Sequence, residues 1–256
     1  MTVVLSEAVK ARPAGRRRTL AGYLALPLSL AAVLVVLYVV VRSRTLDSIE
    51  LRLLEPGLLI SATLRHLELT AVSTALVLVI AIPLGILLTR PSLAKVTTPA
   101  ITLFNIGQAV PSVGLLAIFA IVWDIGFWPV IVALVAYSML PVLRNTMIGL
   151  NQVDEAVIES GRGMGMSRSA VLTRIELPLA VPIILAGLRT ALVINVGTAA
   201  LATFIGGGGL GNIIDGGLVQ NRPLVTVVGS VLTAVLALLV DYLAGIAEDV
   251  LRPRGL

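Results

Sequence analysis

Six apolar runs divide this sequence, and each is long enough to cross a lipid bilayer as a helix. A spanning helix needs about 20 mostly apolar residues. The chain is 57% hydrophobic and only 13% charged, which is more apolar surface than one soluble core of this size can bury. The sequence therefore predicts an all-α integral membrane protein, with spans at about 20–41, 60–89, 96–122, 125–147, 179–205 and 223–247.

The basic residues indicate how these spans are oriented. The transmembrane domain, 20–248, lies between tails at 1–19 and 249–256. If both tails are cytoplasmic, the outer side carries four basic residues, Arg42, Arg44, Arg52 and Arg222. The cytoplasmic side then carries 13: Lys10, Arg12, Arg16, Arg17, Arg18, Arg90, Lys95, Arg144, Arg162, Arg168, Arg174, Arg252 and Arg254. Because basic loops stay in the cytoplasm, we expect both termini there. Orientation also explains the net charge of +5 without a nucleic acid partner.

The residue types that enzymes and metal sites need are scarce. There is no cysteine, and His66 is the single histidine, so we expect no metal site and no catalytic residue. The glycine run at 206–209 is not followed by a lysine, so it is not a phosphate-binding loop of the form GxxxxGK[ST]. Two interpretations of this run are open: a flexible loop on the outer side, or a compact turn near the outer mouth of the bundle.

The longest segment between apolar runs on the cytoplasmic side is 151–178, and it contains signals for two short helices. Asp154 can cap a first helix that runs through Glu159, and Ser167 can cap a second that Pro178 helps to end. Gly161, Gly163 and Gly165 lie between them, and one of these suits a left-handed residue after a helix. An ordinary connecting loop remains an alternative at this point.

This segment resembles the cytoplasmic "EAA" loop of ATP-binding-cassette (ABC) importer permeases. The matching residues are Glu159, Gly165, Ile175, Leu177 and Pro178, whereas Ser160 and Gly161 replace the two alanines of the pattern. The resemblance implies a type I permease fold of about six transmembrane helices. It also implies that 151–178 holds a coupling helix that docks on an ATPase subunit. The residues expected to take part are Glu159, Gly161, Gly165, Ser167, Arg168, Ile175, Leu177 and Pro178, with Arg162 and Arg174 at the edge of the contact.

Two further stretches narrow the resemblance. NIGQAVPSVGLL at 105–116 and LRTALVINVGTAALATFIGGGGLG at 188–211 are similar to permeases for osmoprotectants such as glycine betaine, choline and carnitine. Methionine permeases carry a similar glycine-rich stretch, so an amino acid is the alternative substrate. The resemblance implies a bacterial plasma (inner) membrane protein. Its expected partners are an ABC ATPase subunit that holds ATP-Mg, an extracytoplasmic substrate-binding protein and a second permease copy, identical or related. We expect this chain itself to bind no cofactor.

Polar residues inside the spans are candidates for a translocation path. Asn105, Gln108 and Ser112 share one face if the third span is a continuous helix, and Asn195 and Thr198 form a similar pair on the fifth span. Hydrogen bonding between helices is the alternative role for these side chains. Arg189 lies about 15 Å past Leu179 along the fifth span, where it either contributes to the path or reaches the surface beside a structural partner.

An ion-coupled carrier is the competing class of transporter. Such carriers keep acidic residues at mid-membrane depth, whereas Glu68, Asp124 and Asp241 fall near the ends of apolar runs. The chain is also only 4% aromatic, and quaternary amines are typically held by aromatic cages. We therefore expect a separate binding protein to recognise the solute.

Overall fold

The computed structural model describes residues 20–251, which form helices and connecting turns with no strand among them. Five helical segments are long and apolar enough to cross a membrane, and a bent pair would make a sixth span. This architecture confirms the all-α membrane fold. The α-helices are α1 (Leu20–Arg42), α2 (Ser48–Leu53), α3 (Pro56–Leu88), α4 (Ala94–Ala109), α5 (Ser112–Val122), α6 (Phe127–Asn151), α7 (Glu155–Gly163), α8 (Arg168–Val171), α9 (Leu177–Ala199), α10 (Gly211–Val219) and α11 (Pro223–Leu251).

The stretch at 96–122 differs from the single span expected for it. It contains α4 and α5, whose axes differ in direction by 96°. Pro111 follows Val110, which has extended dihedrals of −69° and 129°, as the residue before a proline prefers. The chain therefore turns sharply at 110–111 instead of continuing as one helix.

The centre of the bundle is α6, which packs between α3 and α9. Small residues let these helices approach closely. A Cβ atom added to Gly85 of α3 would lie 2.8 Å from the Thr146 side chain of α6. A Cβ atom added to Gly187 of α9 would lie 2.9 Å from the carbonyl oxygen of Pro141 and 2.6 Å from Cβ of Asn145. Side chains at these two glycines would force the helices apart.

The first helix lies at the edge of the bundle and is largely exposed along its length. Its contacts are mainly with α11, where the Tyr242 hydroxyl donates a hydrogen bond to the carbonyl oxygen of Tyr23 at 2.6 Å. Large apolar side chains such as Leu28 and Val36 point outward. In a membrane protein this exposure is expected, because lipid tails solvate apolar side chains as well as a core does.

A short helix, α2, closes the connection between α1 and α3. Asp47 and Glu50 form a capping box, in which each side chain accepts a hydrogen bond from the other residue's backbone amide. The Glu50 amide, more than the nearby Arg222 guanidinium, lowers the pKa of Asp47 below its ordinary value. Arg222, just before α11, is 2.6 Å from the Asp47 carboxylate. This ion pair joins α2 to the turn between α10 and α11.

Candidate coupling segment and membrane-embedded polar residues

The two short helices of 151–178 form as their capping signals predict. The Asp154 side chain accepts a hydrogen bond from the Ala156 amide at the start of α7. The Ser167 hydroxyl accepts one from the Ala170 amide at the start of α8. Both caps are therefore confirmed, and each satisfies an amide that a helix start leaves without a helical partner.

The turn between α7 and α8 is a Schellman motif. Gly165 has a φ of +85°, the left-handed conformation that glycine adopts at lowest cost. Its amide donates to the Arg162 carbonyl at 2.9 Å, and the Met166 amide donates to the Gly161 carbonyl at 3.1 Å. These two bonds are the pair that defines the motif. Gly165 is therefore the left-handed residue that the glycine-rich sequence predicts.

Gly161 has a different role from the other two glycines of the turn. It is buried within α7, and a Cβ atom added to it would lie 2.6 Å from Cδ1 of Ile175. The glycine that replaces an alanine of the motif thus lets α7 pack directly against the segment that follows α8. By contrast, an added Cβ at Gly163 would meet no atom within 4 Å.

Pro178 does not end the second helix, contrary to the sequence-based expectation. After α8 the chain forms one π-helical turn at Leu172–Glu176 and continues directly into α9, with Pro178 at its N-terminal start. The Leu177 amide donates to the Leu172 carbonyl, five residues earlier. A π turn changes the local hydrogen-bond register, so the helix accommodates a proline ring that would clash with an α-helical carbonyl. The result is one helical segment, Arg168–Ile205.

An ion pair that the sequence did not suggest fixes the start of this segment. Glu176 is buried, and its Oε2 is 2.7 Å from Nη2 of Arg90, which follows α3. The pair joins the π turn to the end of α3 across 86 residues of sequence. The available signal was an acidic residue between Ile175 and Leu177 of the matched motif, but the spacing does not identify its partner.

The expected coupling residues divide into exposed and packed groups. Glu159 and Arg168 are exposed, as are Arg162 and Arg174. Leu177 packs with Leu150, Ala180 and Ile184 at the base of the bundle. Met164 is 77% exposed at the tip of the turn, so the segment presents an apolar side chain among arginines.

The candidate path residues on α4 and α5 are not all brought together. Asn105 Oδ1 accepts a hydrogen bond from Arg144 of α6 at 2.7 Å, and Gln108 Nε2 donates to the Tyr137 carbonyl at 2.8 Å. Both side chains therefore face α6. Ser112 begins α5, beyond the 96° bend. The single shared face predicted for the three residues is wrong for Ser112, because Pro111 interrupts the helix.

Two polar residues of α9 are engaged by neighbouring helices. Asn195 is fully buried, and its Nδ2 donates to the Thr74 hydroxyl of α3 at 3.0 Å. Thr198 is half-buried, three residues further along α9. Arg189 pairs with Asp241 of α11 through two hydrogen bonds, with Nη2 and Oδ2 2.7 Å apart. Asp241 follows the last apolar run directly, but α11 continues for ten residues beyond it, to Leu251.

His66 and Arg65, on α3, hold the glycine run in a defined conformation. His66 Nδ1 accepts from the Leu210 amide at 3.3 Å, which leaves Nε2 to donate to the Val196 carbonyl at 2.9 Å. Arg65 donates to the Gly207 carbonyl at 3.0 Å and lies over the Phe127 ring. The run is therefore a compact turn and not a flexible loop. In the sequence His66 is informative only as the single histidine, and no local pattern marks its bonds across the bundle.

Long apolar helices that enclose a few buried polar side chains, with a pair of short helices exposed on one side, define a multi-pass membrane protein. Among residues 20–251 no three His, Cys, Asp or Glu side chains group as metal ligands would. The chain belongs to the family described as binding-protein-dependent transport system inner membrane component, whose family model matches residues 81–254. It is thus an ABC-importer permease of the inner membrane, a class that works with an ATPase and a substrate-binding protein.

Similar proteins include several permeases with named substrates. The choline transport system permease OpuBB of Bacillus subtilis is 41% identical over 78% of this chain and 91% of its own length. The carnitine transport permease OpuCD of Listeria monocytogenes is 41% identical over 74% of this chain and 84% of its own. The osmoprotectant import permease OsmW of Salmonella typhimurium is 34% identical over 82% of this chain and 100% of its own.

A solved structure supports the same architecture. The methionine ABC transporter MetNI, in an inward-facing conformation, contains a chain that superposes with a TM-score of 0.68. The match has 26% sequence identity and covers 78% of this chain and 99% of that one. The expected type I permease fold is therefore confirmed.

Proposed function

We propose that this chain is the permease subunit of an ATP-driven importer for osmoprotectants, quaternary amines such as glycine betaine, choline and carnitine. The choline and carnitine permeases described above are each 41% identical to it, against 26% for the methionine transporter structure. This difference supports a quaternary amine over an amino acid. A separate extracytoplasmic protein would supply most of the recognition, because the chain is poor in the aromatic residues that cage such cations.

The observation that carries the coupling role is the continuous helical segment Arg168–Ile205. Its first turns pack against α7 through Gly161 and Ile175, and α7 and α8 expose Glu159, Met164 and the arginines. A partner ATPase that holds ATP-Mg and binds this surface would move α8 when its own conformation changes. Because no break separates α8 from α9, the movement would pass along a helix of roughly 57 Å. In this mechanism ATP hydrolysis belongs wholly to the partner, and both termini of this chain are cytoplasmic.

A second permease copy, identical or related, would complete the translocation path. Asn105 and Arg144 lie on an exposed face of α4 and α6. Because α6 continues to Asn151, Arg144 lies about 10 Å before the end of the helix and not in the cytoplasmic segment expected from the sequence, and a charged group facing hydrocarbon is costly. This face therefore requires protein or water. We assign Asn105, Gln108, Ser112 and Thr198 to the path. Arg189 and Asn195 instead hold α9 to its neighbours, since Asn195 is fully buried against α3 and the charge of Arg189 is neutralised by the ion pair with Asp241 of α11.

The test is ATP-dependent uptake by proteoliposomes that contain this chain, its ATPase and its binding protein. Gly165→Leu places a branched side chain at a φ of +85°, so it should distort the turn and abolish uptake of glycine betaine. Gly163→Leu is the matched control, because its added side chain starts in open space. Normal uptake by the Gly165 variant would refute the coupling role.

The same assay separates the alternatives. Uptake of methionine but not of glycine betaine or choline would overturn the substrate assignment and retain the ABC class. Uptake that continues without the ATPase and stops when the ion gradient is dissipated would indicate an ion-coupled carrier. Impermeant labelling of a cysteine at Ser167 from the outside would overturn the orientation.

A further inference from the structure

A groove of about 640 Å³ opens between α1, α2, α3 and α11. Most of its lining is aliphatic, including Leu34 and Leu37 of α1, Leu59 of α3 and Leu232 of α11. Leu37 and Val41, near the C-terminal end of α1, pack against the cluster that contains Val228 and Leu236 of α11, so the groove follows the seam between two membrane-spanning helices. An open apolar groove along such a seam can be reached by lipid.

Two opposite charges line the groove among these aliphatic side chains. They are Arg42, the last residue of α1, and Glu55, which precedes α3. Within residues 20–251 neither of them forms an ion pair, and the Arg42 guanidinium lies 5.9 Å from the centre of the Tyr38 ring. A cation and an anion are therefore both available to a ligand in one groove.

The charges and the apolar lining lie at different depths. Arg42 and Glu55 are at the ends of their helices, at the membrane surface. Leu34 is eight residues before Arg42 along α1, about 12 Å deeper, and Leu232 is nine residues past the start of α11, about 14 Å deeper. The groove is thus polar where the headgroups lie and apolar where the acyl chains lie.

We propose that this groove is a binding site for one phospholipid with a zwitterionic headgroup, phosphatidylethanolamine. Its phosphate would pair with Arg42, its primary ammonium would donate hydrogen bonds to Glu55, and an acyl chain would fill the space between α1 and α11. A phosphatidylglycerol headgroup has no cation for Glu55. The trimethylammonium group of phosphatidylcholine has no hydrogen to donate to that carboxylate. The charge pattern therefore selects one headgroup chemistry, independently of the transported solute.

The experiment is a lipid titration of the purified full-length permease in detergent, followed by native mass spectrometry. We expect one phosphatidylethanolamine to bind about tenfold more tightly than phosphatidylglycerol or phosphatidylcholine, the ratio that one charge-assisted hydrogen bond provides. Arg42→Gln should weaken all three lipids, because all carry the phosphate. Glu55→Gln should weaken only phosphatidylethanolamine and remove the preference.

Matched variants separate this site from general lipid contact. Arg44→Gln removes the same charge at the same surface, but Arg44 lines a neighbouring cleft with Glu50, so it should leave the preference intact. Leu37→Trp fills the groove and should prevent binding, whereas Val36→Trp, on the exposed face of α1, should not. Thermal unfolding midpoints near that of the wild type establish that each variant is folded.

Three results would overturn the proposal. The first is wild-type protein that binds the three lipids equally, and the second is equal weakening by the Arg42 and Arg44 substitutions. The third is displacement of phosphatidylethanolamine by glycine betaine or choline, which would assign the groove to the small solute and not to lipid.

Discussion

Arg189 of α9 and Asp241 of α11 face each other through two parallel hydrogen bonds between a guanidinium and a carboxylate, 52 residues apart in sequence. The pair lies ten residues, or about 15 Å, before the end of α11. A lone charge at mid-membrane depth costs about 2.5–3.5 kcal/mol on insertion scales. Mutual neutralisation lets two apolar helices each carry a charged residue, and it fixes their relative register.

Arg189→Leu should lower the free energy of unfolding by about 2–4 kcal/mol, because it removes this partner from a carboxylate within the bundle. Asp241→Leu should have a similar effect. The double substitution should recover most of the loss, since two leucines suit the surroundings of the pair. Thermal unfolding of the four proteins in detergent completes a double-mutant cycle. Additive losses would mean that the two residues do not stabilise the bundle as a pair.

The Arg90–Glu176 pair should respond asymmetrically to substitution. The Glu176 side chain is 6% exposed and that of Arg90 is 33% exposed. Arg90→Gln leaves a buried carboxylate without its cation, so it should lower the free energy of unfolding by about 3 kcal/mol. Glu176→Gln leaves a guanidinium that water can reach, so the loss should be about 1 kcal/mol.

The control for this pair is Arg174→Gln, an exposed position in the same π turn, which should change stability by less than about 0.5 kcal/mol. Both pair variants should also raise the number of ATP molecules hydrolysed per solute imported, because the start of α9 is less firmly fixed. Equal losses for Arg90→Gln and Glu176→Gln, measured by thermal unfolding, would contradict the explanation from burial.

His66→Leu should loosen the glycine run specifically. The substitution leaves the Leu210 amide and the Val196 carbonyl without their hydrogen bonds, at a cost of about 1–3 kcal/mol. Hydrogen exchange at the Leu210 amide should become faster by at least tenfold, while amides in the middle of α6 keep their wild-type rates. Leu64→Ala, at an exposed side chain two residues away on α3, should leave the Leu210 amide protected. An unchanged exchange rate in the His66 variant would exclude the proposed restraint.

Two glycines of α9 should respond oppositely to alanine. At Gly187 the added methyl group meets α6 at 2.6–2.9 Å, including a backbone carbonyl that cannot turn aside, so the cost should be about 2–3 kcal/mol. At Gly197, in the same helix, the added methyl group meets no atom within 4 Å, and better helix propensity should add about 1 kcal/mol. If the unfolding midpoint falls for both variants, close packing does not explain the loss. Both positions would then require glycine for its backbone freedom.

Residue types and their spacing were sufficient to predict the turn between α7 and α8. Asp154, Ser167 and Gly165 act on amides and carbonyls only a few residues away, so their caps follow from residue type and spacing. The apolar runs likewise determined the membrane class, because helix length and hydropathy are sums over one segment. Features of this kind need no knowledge of neighbouring helices.

Pro111 and Pro178 show what residue type and spacing within one segment do not predict. One ends α4 and turns the chain by 96°, whereas the other lies inside a continuous helical segment that has a π turn beside it. Which outcome a proline has depends on whether the surrounding helices support a bent or a continuous path. The partners of His66, Glu176 and Arg189 are 52 to 144 residues distant, so only the packing of the bundle identifies them.

The absence of a break between α8 and α9 has a mechanical consequence. If the proposed ATPase partner pushes the cytoplasmic end of the segment Arg168–Ile205 and the segment moves as one body, its outer end would swing the other way about the close contact at Gly187. Opening one side of the membrane and closing the other would then be a single motion. Because one rigid movement would open one side and close the other, the path would not be open to both sides at once and solute would not leak through.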